Sequence, residues 1–245
     1  MKSILPICFL FMIISCTSDS TTELKIREFE GAVCEDCPKV RISIPEAQDN
    51  TVLGKSVNTA VREEIIELLD FAQNKNAIDI PGAMDAFTTG YRNLQEEFPE
   101  ELTGWEASVT GTKSYEDPSL LTLKLETYLF TGGAHGYGAT RYLNFDKKTG
   151  AELSGTELLN DPEAFSEFAE KVFRKKYDIP EEAPINSTGF MFEENRFTLP
   201  ENIGLSANAL VLHYNPYEVA SYADGSLILE IPLDKGLAFL ERPDY

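Results

Sequence analysis

The chain has few of the residues on which common catalytic and metal sites depend. Only two histidines, His135 and His213, and four cysteines occur among its 245 residues. The His-Glu-x-x-His motif of zinc peptidases and the Gly-x-Ser-x-Gly elbow of serine hydrolases are both missing. No internal repeat and no low-complexity tract is present. The sequence therefore predicts no catalytic residue, no bound metal and no cofactor.

Positive charge is also scarce. The chain has 21 Lys and Arg against 41 Asp and Glu, a formal net charge of −20. Such a field repels nucleic acid and anionic lipid surfaces, so no nucleic-acid partner is expected. It would attract a cationic protein, a cationic peptide or a divalent metal. The alternative is that the acidic groups only keep an exported protein soluble.

The N-terminal residues predict export. Lys2 supplies one positive charge, residues 4–14 form a short apolar run, and a serine precedes Cys16. The run is too short to cross about 30 Å of hydrocarbon as a permanent helix. The pattern is similar to a bacterial lipobox, which implies a signal peptide over 1–15 and a fatty-acylated (palmitate-bearing) Cys16. The alternative is an ordinary signal peptide that is cut nearby, with this cysteine incidental.

A lipidated N-terminus would fix the location of the protein. Residues 16–23 are small and polar and would form a tether between lipid and fold. We therefore expect a cell-envelope protein on the extracytoplasmic side, periplasmic or at the cell surface, that meets the membrane only through its anchor. The oligomeric state is not predicted.

Export would leave Cys34 and Cys37 as the remaining thiol pair. Outside the cytoplasm, two cysteines at this spacing are most simply a disulfide that closes a small loop. A thioredoxin-like site is disfavoured, because residues 39–44 alternate like a strand and two acids lie between the cysteines. Redox chemistry and metal binding remain as alternatives, although no second Cys/His pair completes a zinc set.

Hydrophobic spacing predicts an α+β fold of antiparallel sheets covered by amphipathic helices. The predicted helices repeat apolar residues every three or four positions; they cover 57–72 and 83–98, and a third begins at Asp161-Pro162. The predicted strands show apolar alternation and lie at 24–30, 40–44, 105–109, 121–125, 141–145, 190–192, 196–199, 209–214 and 226–231.

A glycine-rich loop at 131–138 is the first candidate binding feature. It lacks the Gly-Lys-Ser/Thr ending of a phosphate-binding loop, and it lies between two predicted strands. Glycines there would let the backbone approach a ligand closely. The candidate contacts are Gly132, Gly133, His135, Gly136 and Tyr137. The alternative is a bulged turn in which the glycines serve packing and the histidine bonds to backbone.

A tyrosine cluster forms the second candidate feature. Tyr214, Tyr217 and Tyr222 lie around Pro216, with Glu218 between them. Exposed tyrosines are good contacts for protein or sugar, since they present a large area at little entropic cost. The alternative is that the rings complete the core with their hydroxyls pointing outward.

Two histidines could also be combined with acids in a hydrolytic metal site. His135 and His213 would need Glu218 or Asp224 beside them. Nothing in their spacing demands such a site, and it stands only as an alternative: a small envelope hydrolase that uses His135 with nearby carboxylates.

Two stretches carry a family resemblance. They are Tyr128-Leu129-Phe130-Thr131-Gly132-Gly133-Ala134-His135-Gly136 within residues 128–153, and Tyr217-Glu218-Val219-Ala220-Ser221-Tyr222-Ala223-Asp224-Gly225 within residues 214–232. They resemble the paired extracytoplasmic domains of unknown function in RsiV-type anti-sigma factors and beside the catalytic domain of PdaC-type peptidoglycan deacetylases. The resemblance implies a PdaC-type subdomain over 24–100 and an RsiV-type subdomain over 101–245.

The resemblance also suggests a partner. The ectodomain of the anti-sigma factors recognises lysozyme, a cationic wall-cutting enzyme. This chain shows no sigma-binding segment, internal transmembrane helix or deacetylase domain, so only recognition is expected to carry over. We therefore expect a lipid-anchored envelope binding module for a cationic protein such as lysozyme, or for a peptidoglycan-related, wall-derived ligand. A scaffold subunit for another envelope protein is a further alternative.

Overall fold

The computed structural model describes residues 21–34, 36–71, 76–99 and 103–241. Within these residues, nine strands form two sheets and four α-helices cover them. The α+β class predicted from the sequence is confirmed, and the sheets are mostly antiparallel. The signal peptide predicted over 1–15 and the acylation predicted at Cys16 lie outside the described residues. Among the described residues, no helix has the length and apolar character needed to span a bilayer.

The larger sheet has six strands in sequence order. They are β1 Leu24–Glu30, β2 Lys39–Ala47, β3 Glu106–Glu116, β4 Leu120–Phe130, β5 Tyr137–Asp146 and β6 Glu152–Leu153. All neighbours pair antiparallel except β2 and β3, which are parallel because two helices connect them across one face of the sheet. Strands on both sides of residue 100, the predicted subdomain boundary, therefore pair within one sheet.

Two helices cover one face of this sheet. They are helix α1 (Val52–Leu69) and helix α2 (Ile80–Glu97). Thr51 and Asp79 are their N-cap residues, and each side chain accepts a hydrogen bond from a backbone N–H in the first turn of its helix. Their apolar stripes pack on the inward-facing strand residues. The buried members of this first core include Val57, Val61, Ile65, Ala83, Phe87, Val40, Ile42, Val109, Leu121, Leu123, Leu125 and Leu143.

The smaller sheet belongs to the C-terminal half. Its strands are β7 Ile203–Leu205, β8 Ala209–Tyr214 and β9 Leu227–Pro232, all antiparallel. Helix α3 (Pro162–Lys176) starts at Asp161 as predicted, and helix α4 (Leu233–Gly236) follows β9. A second core forms between these elements. Its buried members include Phe165, Phe173, Phe192, Leu210, Leu212, Tyr214 and Leu120, the last contributed by β4.

Asparagine side chains join the two sheets at the outer edge of β5. The backbone N–H of Thr140 donates to Asn215 Oδ1 and that of Tyr142 to Asn202 Oδ1, both at 2.8 Å. The side-chain amide of Asn144 donates to the carbonyl of Ile203 in β7. Because β6 pairs with only two residues of β5, these amides satisfy backbone groups of β5 that pair with no other strand in the described part of the chain.

The strand predictions at 190–192 and 196–199 are wrong. Phe192 lies in irregular chain, where its N–H and carbonyl both bond to the side-chain amide of Asn186, at 2.9 and 2.8 Å. A 3₁₀ turn at Glu193–Asn195 follows, with Glu194 in the left-handed region at φ 51°. The apolar alternation reflects rings that reach the second core, not a strand. Sequence patterns also missed the short strand β7.

The end of the predicted tether is held against the fold. Thr22 is 8% exposed, and its backbone N–H donates to Glu116 Oε1 at 2.7 Å. Lys113 and Lys147 also contact this carboxylate, at 2.6 and 2.8 Å. Burial opposes the charge, but these hydrogen bonds outweigh it and lower the pKa of Glu116 to about 2. The chain therefore leaves the fold beside the β3–β4 turn.

Candidate functional site

The glycine-rich loop spans residues 131–136, shorter than predicted because β5 begins at Tyr137. Gly132 and Gly133 adopt φ values of 103° and 88°, which only glycine takes without strain. Gly136 is buried beneath a ring: a Cβ at this position would lie 2.4 Å from the hydroxyl oxygen of Tyr128. The glycines therefore serve a turn and a close ring contact, which is the packing role considered above.

The loop between β8 and β9 lies directly against the glycine-rich loop. The hydroxyl of Tyr222 donates to the carbonyl of Gly136 at 2.8 Å. The ring of His135 stacks on that of Tyr222, with centroids 3.8 Å apart and an interplanar angle of 16°. The ring of Tyr217 lies 5.4 Å from that of Tyr222, and Tyr137 donates to the carbonyl of Pro216 at 3.3 Å. The two sequence features predicted as sites thus meet.

These rings form an exposed patch, which we call the aromatic surface. It comprises Tyr128, His135, Tyr137, Tyr217 and Tyr222. Tyr217 is 60% exposed, and Tyr128 and Tyr137 are each 39% exposed. The backbone of Tyr217 has φ 73°, a left-handed conformation that costs about 1–3 kcal/mol for a non-glycine residue. The fold therefore holds this ring outward at an energetic cost.

An acidic group borders the aromatic surface. Burial raises the pKa of the Glu218 carboxyl and the nearby Glu201 charge adds to this, while hydrogen bonds from Asn215 oppose it. Burial also raises the pKa of Tyr137, and the Glu218 charge contributes. Glu218, which is exposed, therefore lies close to the aromatic surface. Asp224 is held apart from it in a turn, where its carboxylate accepts from the Ser221 hydroxyl at 2.6 Å.

A groove adjoins the same loop through Asn215. Its volume is about 630 Å³, and it lies between the C-terminal part of α1 and strands β4 and β5. We call it the acidic groove, because three acids, Glu64, Glu67 and Asp70, surround an apolar floor formed by Leu68, Phe71 and Leu129. Glu64 forms an ion pair of 3.3 Å with Arg141. Burial raises the pKa of Glu64, and Arg141 opposes the rise.

The remaining tyrosine and histidine of the predicted features lie elsewhere. Tyr214 is buried in the second core, and its hydroxyl donates to the carbonyl of Thr198 at 2.7 Å. His213 is 3% exposed, its ring lies 6.3 Å from that of Tyr142, and neither ring nitrogen has a partner in the described structure. The two histidines therefore do not share a site.

No part of the described structure supports the metal-dependent hydrolase. Among the described residues, no group of three or more His, Cys, Asp or Glu side chains could hold a metal ion. Among the described residues, His135 stacks on the Tyr222 ring and its Nδ1 lies 3.1 Å from the carbonyl oxygen of Gly136. Neither neighbour is a carboxylate that could orient the imidazole for catalysis.

Cys34 and Cys37 are joined as a disulfide in the turn between β1 and β2, with Cα atoms 5.2 Å apart. The oxidised state of the pair in the cell stays a prediction that depends on export.

Tyr128 and the acidic groove were not predicted as site features from the sequence. Tyr128 could have been found, since alternation along β4 places Leu121, Leu123 and Leu125 inward and the even-numbered residues on the opposite face. The groove could not be predicted from a sequence pattern, because its two sides belong to α1 and β5. These elements are distant in the sequence and come together only in the tertiary fold.

Comparison with known proteins identifies two family matches. Residues 33–137 match the family described as Deacetylase PdaC, and residues 156–234 match a family of unknown function, DUF3298. The resemblance found in the sequence is confirmed. The first match extends across residue 100, the predicted subdomain boundary, and residues 138–155 separate it from the second match. Comparison with proteins of curated function finds no match.

Solved structures share the fold. A DUF3298 family protein from Pseudomonas aeruginosa PAO1 is 22% identical, with a TM-score of 0.61 over 91% of this chain and 96% of that chain. A DUF3298 family member from Bacteroides fragilis is 16% identical, with a TM-score of 0.64 over 91% of this chain and 94% of that chain. At these identities the likeness establishes the architecture alone.

Proposed function

We propose that this chain, a PdaC-type domain followed by a DUF3298 domain, is a lipid-anchored binding module of the cell envelope. Its ligand is a cationic protein, of which lysozyme is the type suggested by the anti-sigma resemblance. The observation that carries the proposal is the convergence of the glycine-rich loop and the β8–β9 loop on one exposed aromatic surface.

The aromatic surface suits protein recognition. Tyrosine rings bury a large area with little loss of conformational entropy, and exposed aromatic clusters are enriched at interaction hot spots. The rings are positioned before binding, because His135, Tyr217 and Tyr222 pack on one another and Tyr222 bonds to Gly136. Preorganisation lowers the entropic cost of association.

The charge beside the surface favours a cationic partner. Glu218 lies at its border, and the acidic groove adds Glu64, Glu67 and Asp70 near Asn215. The chain as a whole carries a formal charge of −20. Lysine and arginine side chains of a partner would be steered toward this region and could place their alkyl stems on the apolar floor of the groove.

The test is binding of lysozyme to the full chain as a function of salt. We expect binding at low ionic strength that weakens but persists at about 0.15 M, where the Debye length has fallen to about 8 Å. Binding that vanishes there would reflect ion exchange alone and would contradict the proposal. Tight binding of peptidoglycan fragments without lysozyme binding would assign the surface to a wall-derived ligand instead.

A single variant connects binding to the surface. Tyr217→Ala should weaken lysozyme binding about tenfold or more, because an anchoring ring is lost. Its melting temperature should hardly change, since the side chain is 60% exposed. Phe98→Ala removes another exposed ring, 43% exposed at the end of α2, and is the matched control that should keep full affinity. Equal losses in both variants would refute a role for the aromatic surface.

A further inference from the structure

An exposed lysine group in the C-terminal half runs against the acidic character of the chain. Lys171 and Lys175 on α3 and Lys235 on α4 are exposed and surround a slot of about 280 Å³. The floor of this slot is apolar and consists of Phe168, Val172, Ile231 and Pro232. We call this feature the lysine slot.

The charges of the lysine slot are available to an external ligand. Within the described residues, no acidic oxygen lies within 4.0 Å of these three ammonium groups, whereas the neighbouring Arg174 is paired with Glu170 at 2.7 Å. Three cationic groups around an apolar floor match an anionic head attached to a hydrocarbon chain. The slot is thus the chemical opposite of the acidic groove.

The lysine slot lies at the end of the molecule where the N-terminal segment leaves the fold. A cavity at that exit is lined by both Thr21 and Ala207, the latter in the β7–β8 turn. The next residue of the turn, Asn208, accepts a hydrogen bond from the backbone N–H of Leu233 at 2.8 Å. Lys235 follows two residues later in α4. Contacts therefore connect the exit directly to the slot.

The number of residues between Cys16 and the first described residue, Thr21, limits the distance between an acyl chain on Cys16 and the end of the fold that carries the lysine slot. Four residues lie between Cys16 and Thr21, so five Cα–Cα steps join them. Fully extended, they reach at most about 18 Å. The aromatic surface is at the other end, because β4 runs from Leu120 beside the exit to Phe130 beside the glycine-rich loop. Its 11 residues span about 35 Å.

We propose that the lysine slot docks on anionic phospholipid in the membrane that holds the anchor. This adds a second membrane contact to the anchor-only attachment expected from the sequence. The net charge of −20 opposes approach to anionic lipid at long range, but screening over about 8 Å leaves the local lysine contacts favourable. The lysines donate to headgroup phosphates, and the apolar floor receives hydrocarbon at the headgroup boundary. A lipid chain and a basic patch together give stable attachment where one signal is marginal. The docked molecule presents the aromatic surface away from the bilayer, toward the cationic ligand. This inference rests on the acylation of Cys16 that belongs to the proposed function.

Lysine footprinting on vesicles tests the docking. The full chain, produced with its natural N-terminus in bacterial cells and extracted in detergent, is reconstituted on vesicles of phosphatidylcholine, alone or mixed with phosphatidylglycerol. Its lysines are then acetylated, and their modification is followed by mass spectrometry. On vesicles with phosphatidylglycerol, modification of Lys171, Lys175 and Lys235 should slow by about fivefold. Lys39 and Lys55, exposed in the other half, serve as internal standards whose rates should not change. High salt should remove the difference.

Paired variants separate specific docking from a change in net charge. Lys171→Glu with Lys235→Glu should abolish the protection of Lys175, whereas Lys39→Glu with Lys55→Glu should leave it intact. Equal modification rates on the two vesicle types would overturn the docking proposal. Protection that depends on protein concentration and persists in detergent would assign the slot to a second copy and overturn it as well.

The experiment also distinguishes this inference from the proposed function. A chain that does not float with vesicles has no lipid anchor, which refutes the anchor and the docking together. A chain that floats with its slot lysines unprotected refutes the docking alone. Lysozyme binding, measured separately in detergent, is affected by neither result.

Discussion

The half built on the six-stranded sheet packs aliphatic side chains along paired strands, whereas the C-terminal half adds a cluster of aromatic rings, held in part by irregular segments, to an aliphatic core. In the first core, Leu121, Leu123 and Leu125 alternate along one strand under two regular helices. In the second, the ring of Phe173 lies among five others, those of Tyr177, Phe190, Phe192, Phe197 and Tyr214. In the second half, ring packing therefore supplements a smaller antiparallel sheet.

The two halves also hold their backbones differently. Strand β4 pairs with its neighbours along nearly its whole length. In the C-terminal half, side chains bond to backbone where strands are missing: Asn186 to Phe192, Tyr214 to Thr198, and Arg174 to the carbonyls of Pro180 and Ala183. An irregular segment can thus have its backbone hydrogen-bonding groups satisfied without joining a sheet.

The largest expected effect tests whether the two cores unfold together. Phe173→Ala and Phe87→Ala each remove a fully buried ring, one from each core, and should lower the free energy of unfolding by about 3–5 kcal/mol. Because Leu120 of β4 belongs to the second core, we expect a single transition in urea for both variants. Trp105 reports on the first core and circular dichroism on the whole chain. Transitions at different urea concentrations would show that the halves are independent.

The pH dependence of the free energy of unfolding should show an effect of intermediate size, which comes from His213 at the contact between the sheets. Burial is the main cause that lowers the pKa of His213 from 6.5 to about 4, so the unfolded chain takes up this proton first as the pH falls. The contribution of neutral His213 to the free energy of unfolding is therefore fully present above pH 6.5. It falls by about 2–3 kcal/mol as the pH drops toward 4, and this group causes no further loss below pH 4. Urea unfolding at several pH values should show this slope reduced in His213→Phe. His135→Phe, on the exposed side, should retain the slope, and an equal reduction in both variants would contradict the assignment.

The smallest effect concerns the asparagines at the edge of β5. Asn202→Ala removes the acceptor of the Tyr142 N–H and a donor to the Thr140 carbonyl, and should cost about 1–2 kcal/mol of stability in urea unfolding. Asn208→Ala, at an exposed turn position, should cost less than about 0.5 kcal/mol. Equal stability of both variants would mean that water replaces the amide without penalty.

Sequence patterns predicted the first half better than the second for a physical reason. Strands β2 and β3 and helices α1 and α2 alternate or repeat with the period of their secondary structure, so their buried faces could be identified. The segment at 190–199 has the same alternation of apolar residues, yet local side-chain bonds and a left-handed Glu194 exclude a strand. The spacing of apolar residues indicates which side chains are buried, but it does not indicate which groups form hydrogen bonds with the backbone between them.

The candidate site was predictable in part. Glycines followed by His135, and tyrosines around Pro216, identified the two loops, but their contact depends on Tyr222 reaching Gly136 across 86 positions of sequence. Tyr214 and Tyr217 are only three residues apart and have opposite environments, because strand β8 ends between them. Whether a side chain near the end of a strand is exposed depends on the residue at which strand pairing ends. The amino-acid composition does not indicate that residue.

The amide groups that cover β5 have a consequence for the behaviour of the chain at high concentration. An open strand edge is a template for pairing with another molecule, and natural proteins protect such edges. Here the protection comes from Asn202 and Asn215, which belong to the other half of the molecule. Any event that separates the halves therefore uncovers an adhesive edge at the same moment, so partial opening and aggregation are coupled in this fold.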